Sequence, residues 1–142
     1  MLQILLVEDN PGDVRLLKEA FQEFKTAHKL HTAVNGEEAL DFIFRRHNHT
    51  DKPLPDLILL DINLPTMNGH QVLNAVKKAP QLKRIPVVML TSSNSDADVN
   101  KAYDEYANAY VQKPSNLNDF FDLVGIIERF WFGAVRLPQK TS

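Results

Sequence analysis

The sequence predicts a doubly wound α/β fold, a five-stranded parallel sheet flanked by five helices. Two observations carry this expectation. A short apolar run followed by a helical pattern recurs five times along the chain, which implies parallel strands joined by right-handed crossovers with helices on both faces. One run, Leu57–Leu60, is apolar at every position, the pattern of a central strand buried on both sides.

Taken in order, residues 3–7 form an apolar strand that runs into the polar turn Glu8-Asp9-Asn10-Pro11-Gly12-Asp13. Val14, Leu17, Phe21 and Phe24 then recur at spacings of three and four, the stripe of a first helix. Residues 31–34, stopped by Asn35-Gly36, read as a second strand, and Ala39, Leu40 and Ile43 mark a second helix over 37–46. Residues 47–55 hold two prolines and several polar side chains, so an exposed loop is expected there. His47 and His49 in that loop lack the further ligands that a zinc site requires, and none of the five histidines is assigned a catalytic role.

The third strand, Leu57–Leu60, ends at Asp61, and Val72, Leu73 and Val76 give the next helix after a turn over 65–69. Residues 85–90 supply a fourth strand ending in Thr91, followed by a helix over 96–106. The fifth strand is 108–112, closed by Lys113-Pro114 because proline disfavours helix at the residue before it. The last helix is expected to start at Ser115 or Asn116 and to present Phe120, Phe121, Leu123, Val124, Ile127, Phe130 and Trp131.

At 142 residues the chain is expected to form a single domain, with 133–142 an extension beyond the last helix and no output domain appended. A net charge of −2 provides no basic excess for phosphate backbones, which argues against nucleic-acid binding. Cysteine is absent, which excludes disulfides and thiolate chemistry, and the N-terminus lacks the features of a signal peptide. No apolar run approaches the ~20 residues needed to span a bilayer, so no membrane segment and a cytoplasmic location are expected.

In open sheets of this class, ligands bind beyond the carboxyl ends of the strands. The predicted order delivers Glu8, Asp9, Asp61, Thr91 and Lys113 to that one edge. A lone acid or threonine after a strand is ordinarily a turn or cap residue; the joint placement of five compatible groups argues for chemistry. Carboxylates brought together resist ionisation unless a cation sits among them, and a hard ion such as Mg2+ (or Mn2+) suits oxygen ligands. Asp9 and Asp61 are the expected direct ligands, with Glu8 acting through water and the backbone carbonyl of Asn63 completing the protein's share. Asp61 is best placed as a nucleophile forming an aspartyl phosphate, and the Thr91 hydroxyl and Lys113 ammonium would bind the remaining phosphoryl oxygens.

These residues lie within Leu6-Val7-Glu8-Asp9-Asn10, Leu59-Leu60-Asp61-Ile62-Asn63-Leu64-Pro65, Met67-Asn68-Gly69, Pro86-Val87-Val88-Met89-Leu90-Thr91-Ser92 and Tyr110-Val111-Gln112-Lys113-Pro114. In these motifs the chain resembles the response-regulator receiver domains of two-component signalling. The resemblance implies a flavodoxin-like receiver fold with Asp61 as phosphoacceptor, Glu8 and Asp9 as metal-binding acids, and Lys113 on the phosphoryl group. It also implies a cis peptide before Pro114 and a switch pair of Thr91 and Tyr110. In that switch, phosphorylation draws the Thr91 hydroxyl inward and the Tyr110 ring fills the vacated space. The run 8–13, the long loop before Asp56 and Thr91-Ser92-Ser93 are most similar to stand-alone regulators of the cyanobacterial phytochrome kind. A histidine kinase linked to a phytochrome is then the implied phosphoryl donor.

Phe130, Trp131 and Phe132 are more apolar than a solvent-facing helix end requires and form a candidate interface for a homodimer through the C-terminal helix. The alternative is that 133–138 fold back and bury these rings within the monomer. Two other functions compete with the receiver. One is a degenerate receiver serving only as a binding module, against which the intact set of Asp9, Asp61, Thr91 and Lys113 speaks. The other is a haloacid-dehalogenase-like phosphatase, where Asn63 stands at the place of the second acid.

Overall fold

A computed structural model describes residues 1–139. The strands are β1 (Leu2–Val7), β2 (His28–Ala33), β3 (Leu57–Leu60), β4 (Val87–Thr91) and β5 (Ala109–Gln112). The helices are α1 (Pro11–Phe21), α2 (Gly36–Ile43), α3 (Gly69–Lys78), α4 (Asp96–Asp104) and α5 (Leu117–Arg129). The strands form one parallel sheet in the order β2-β1-β3-β4-β5, the expected doubly wound arrangement. The chain first winds outward from β1 to β2 and then crosses back to β3. The reversal of strand order therefore lies between β1 and β3, the strands that lead into Glu8-Asp9 and Asp61.

Alternation along the central strands divides the core into two layers. Leu5, Val7, Ile58, Leu60, Val87 and Met89 pack with Ala39, Val72 and Leu73 on one face, while Ile4, Leu6, Leu57, Leu59, Val88 and Leu90 pack with Leu17, Phe120 and Val124 on the other. Every helix starts at the carboxyl edge of the sheet with a side-chain cap: Asn10, Asn35, Asn68, Ser95 and Asn116 each accept a hydrogen bond from a backbone N–H three residues on. Each such cap is worth about 1 kcal/mol, and together they fix where the helices begin relative to the acids.

The structure departs from the predicted boundaries in ways that have physical causes. Strand β2 begins at His28, three residues before the expected start, because all six of its residues pair with β1 although its edge position leaves His28, Lys29, His31 and Thr32 polar. Helix α1 stops at Phe21; Phe24 lies in the following turn and still packs its ring 4.9 Å from that of Phe21. Helix α4 ends at Asp104, with Tyr106 in the left-handed region at φ 71°. The loop after α2 contains a 3-10 turn, His47–His49, whose His49 ring lies 5.6 Å from that of Phe42. A π-helical turn, Phe130–Ala134, follows α5 directly; residues 140–142 of the expected extension lie outside the described residues.

No cis peptide bond occurs among the described residues, which corrects the one expected before Pro114. The Lys113 N–H donates to the Thr91 carbonyl at 2.8 Å, so the chain continues extended beside β4 and the lysine reaches the acids from there.

Candidate functional site

Three backbone hydrogen bonds extend the sheet one step beyond its strands and place the polar residues that follow. The Glu8 N–H donates to the Ala33 carbonyl at 3.0 Å, the Asp61 N–H to Val7 at 3.1 Å and the Lys113 N–H to Thr91 at 2.8 Å. Residues more than a hundred apart in sequence are thereby held on one edge. Glu8, Asp61 and Thr91 are buried, whereas Asp9 faces solvent and leaves the site open on one side.

At the centre lies the Lys113 ammonium. It donates to Glu8 Oε1 at 2.5 Å, Asp13 Oδ2 at 2.8 Å and Asp61 Oδ2 at 3.1 Å. Burial disfavours its charge, but the hydrogen bonds to Asp13 and Glu8 and the charge of Asp61 outweigh burial and raise its pKa above the ordinary lysine range. Burial pushes Glu8 up to about 7, assisted by the charge of Asp61 and opposed by the hydrogen bonds from Lys113 and the Asn10 N–H. One ammonium serves three of the four carboxylates at this edge, and the unbalanced negative charge favours a further cation.

Carboxylate oxygens of Glu8, Asp9 and Asp61 lie within 4.8 Å of one another. An all-oxygen set with one exposed member fits a hard divalent ion that retains water and open positions. Asn63 follows directly: its N–H donates to Asp61 Oδ1 at 3.2 Å, which orients the acceptor carboxylate, and the residue is exposed. Thr91 Oγ1 accepts from the Ser93 N–H at 3.4 Å, the start of the turn after β4.

All five predicted residues are brought to one edge, and the structure adds groups that the sequence reading missed. Asp13 reads in the sequence only as part of a turn, although an acid in the first turn of the helix after a strand is delivered to the same edge. His70, which no sequence pattern singles out, lies buried between α3 and α4 with Nε2 3.3 Å from Asp98 Oδ1. The Ser93 hydroxyl donates to Asp98 Oδ2 at 2.5 Å, and the Tyr110 hydroxyl donates to the Ser93 carbonyl at 2.9 Å. Hydrogen bonds from Ser93 and His70 hold the Asp98 carboxyl below its ordinary pKa. The turn after Thr91 is thus tied at once to Tyr110, to α4 and, through His70, to α3. Its links from His70 and Tyr110 join residues far apart in sequence and are visible only in the folded chain.

The three C-terminal aromatics have different environments. Phe132 is half-buried with its ring 5.7 Å from that of Phe24, and Trp131 is also half-buried. Phe130 is 52% exposed, beside an exposed Ile126. Phe132 and Trp131 thus pack against the core of the monomer, whereas Phe130 does not.

Comparison with known proteins agrees with this geometry. The model of the response regulator receiver domain matches residues 4–125. Response regulator Rcp1 of Synechocystis sp. is 43% identical over 135 residues, covering 95% of this chain and 92% of Rcp1. The crystal structure of the Mn2+-bound form of Rcp1 superposes with a TM-score of 0.92 at 42% identity, covering 98% of this chain and 100% of that one. That of the phosphorylated cyanobacterial phytochrome response regulator RcpA gives a TM-score of 0.93 at 40% identity, covering 97% of this chain and 99% of its own.

Proposed function

This chain belongs to the response regulator receiver family, and from that premise we propose that Asp61 is the residue that accepts the phosphoryl group, from a phosphohistidine of a partner kinase. The observation that carries the assignment is the position of the Asp61 carboxylate. It is buried, shares its edge with Glu8 and Asp9, and lies 3.1 Å from the Lys113 ammonium. An Asp61 oxygen attacks phosphorus, the bond from phosphorus to the donor nitrogen breaks, and the imidazole leaves. Lys113 and the Thr91 hydroxyl bind phosphoryl oxygens, while Asp9, Asp61 and the Asn63 carbonyl, with Glu8 through water, would hold Mg2+. Bound there, the ion would neutralise charge on the transferring group. Catalysis by the chain is confined to transfer onto itself and loss from itself, in the cytoplasm.

A phytochrome-linked kinase is the donor we favour, supported by the near full-length similarity to Rcp1 and to RcpA, itself described as a phytochrome response regulator. The exposed ring of Phe130 with Ile126 beside it is the surface we assign to a second copy of the chain. The test is incubation with candidate phosphorylated kinases or acetyl phosphate in Mg2+. A receiver takes up phosphate to one per chain, a degenerate module takes up none, and a phosphatase releases phosphate over many cycles. Nuclear magnetic resonance on the same samples reads the switch: the ring signals of Tyr110 shift on phosphorylation, and unchanged signals count against its role. Sedimentation that yields a strict monomer at high concentration removes the homodimer.

A pH dependence follows from Glu8. Its carboxyl titrates above the ordinary glutamate value of 4.5, at about 7, so between these values the folded chain binds the proton that the unfolded chain has released. The stability it contributes is fully present below 4.5 and is lost as pH rises through about 7. Denaturant midpoints of the metal-free protein are therefore expected to fall across this window through the Glu8 contribution, and the Glu8→Gln variant to lack that component. Equal pH slopes for both proteins would remove Glu8 as the source.

A further inference from the structure

The acids around Lys113 divide into two kinds. Glu8 and Asp61 belong to the carboxylate group suited to a divalent ion, whereas Asp13 does not. Asp13 stands in the first turn of α1, where the helix N-terminus favours a negative charge, and its side chain is 26% exposed. Its Oδ2 lies 2.8 Å from Nζ of a lysine whose side chain is only 7% exposed. A cation seated among Glu8, Asp9 and Asp61 takes two of the lysine's partners and places a like charge beside the ammonium. A buried ammonium deprived of its acids is costly unless one remains.

On the receiver reading given above, we infer that Asp13 is a positioning residue: it retains the Lys113 ammonium when the metal claims Glu8 and Asp61, and so lowers the cost of metal binding without touching the ion. The lysine then exchanges two of its partners rather than losing all three. Held by Asp13, the ammonium remains at the edge of the site, within the reach needed for a phosphoryl oxygen on Asp61. In the metal-free state the ammonium is shared among all three acids, so the Asp13 contact is already in place before the metal arrives.

The inference predicts a coupling between two residues in a property other than phosphorylation. Binding of Mn2+ is measured by calorimetry for wild type, Asp13→Asn, Lys113→Met and the double variant, with urea midpoints confirming that each is folded. Asp13→Asn is expected to weaken Mn2+ binding about tenfold when Lys113 is present and less than about threefold in the Lys113→Met background, a difference within the range of coupling between contacting charges. Asp13→Ser is the second variant should the amide disturb the first turn of α1. Equal losses in both backgrounds would overturn the inference, because Asp13 would then act by its own charge or as a ligand. No loss in either background would also overturn it, leaving Asp13 a helix residue only. Failure of the wild type to bind Mn2+ would instead strike at the metal assignment of the receiver reading.

Discussion

Asp61→Asn is expected to reduce Mg2+-dependent incorporation of phosphate from acetyl phosphate to below about 1% of wild type, because an amide oxygen is a poor nucleophile and forms no stable acyl phosphate. The variant is nearly isosteric, so the loss is chemical and not a failure to fold. Its stability should move the other way. In the metal-free protein Asp61 is buried beside Glu8, and its charge contributes to raising the Glu8 pKa, so removing it relieves repulsion between two carboxylates. Lys113 retains Glu8 and Asp13. A rise of up to about 1 kcal/mol is expected, read as a higher urea midpoint at unchanged slope. Retained incorporation would place the acceptor elsewhere. A stability loss of several kcal/mol would mean that Lys113 depends on Asp61 more than on its other two acids.

The second large effect concerns a residue with no side chain. Gly69 opens α3 against the backbone that follows β3, with its N–H donating to the Ile62 carbonyl at 2.8 Å. A Cβ built on Gly69 would lie 2.1 Å from the Asp61 carbonyl oxygen and 2.8 Å from Ile62 Cα. Both are main-chain atoms and cannot rotate aside. Gly69→Ala must therefore push the start of α3 away from the turn or displace the turn that carries the acceptor. A destabilisation of about 3 kcal/mol is expected from the overpacking, measured by denaturant titration. Phosphate incorporation by the fraction that remains folded should fall at least about tenfold, since small misplacements of a reacting group are costly. Wild-type incorporation in a folded Gly69→Ala protein would show that the turn adapts without moving Asp61.

These two positions illustrate how differently residues can be read from sequence. Asp61 was legible because Leu57–Leu60 is apolar throughout and the acid ends it; a buried parallel strand must deliver its next residue to the carboxyl edge. Gly69 was seen only as part of a turn, since nothing local indicates that the carbonyl of a residue eight positions earlier would occupy the space of its side chain. Likewise the start of β2 was missed because polar side chains at His28 and Lys29 hide a strand whose stability comes from pairing along β1.

The sequence by itself determined the alternation of strands and helices, the edge on which Glu8, Asp9, Asp61, Thr91 and Lys113 meet, and through its motifs the receiver family. These features follow from local periodicity and from the rule that strand ends in a doubly wound sheet share one side. Only the tertiary structure decided how the charges are partnered: that Lys113 is shared by Glu8, Asp13 and Asp61, that His70 and Ser93 tie Asp98 into the region beside Thr91 and Tyr110, and that Phe132 packs inward while Phe130 remains exposed. The physical reason is range. Hydrophobic periodicity is set within one element, whereas a charge is satisfied by whichever partner the folded chain brings within about 3 Å, and that partner can lie a hundred residues away.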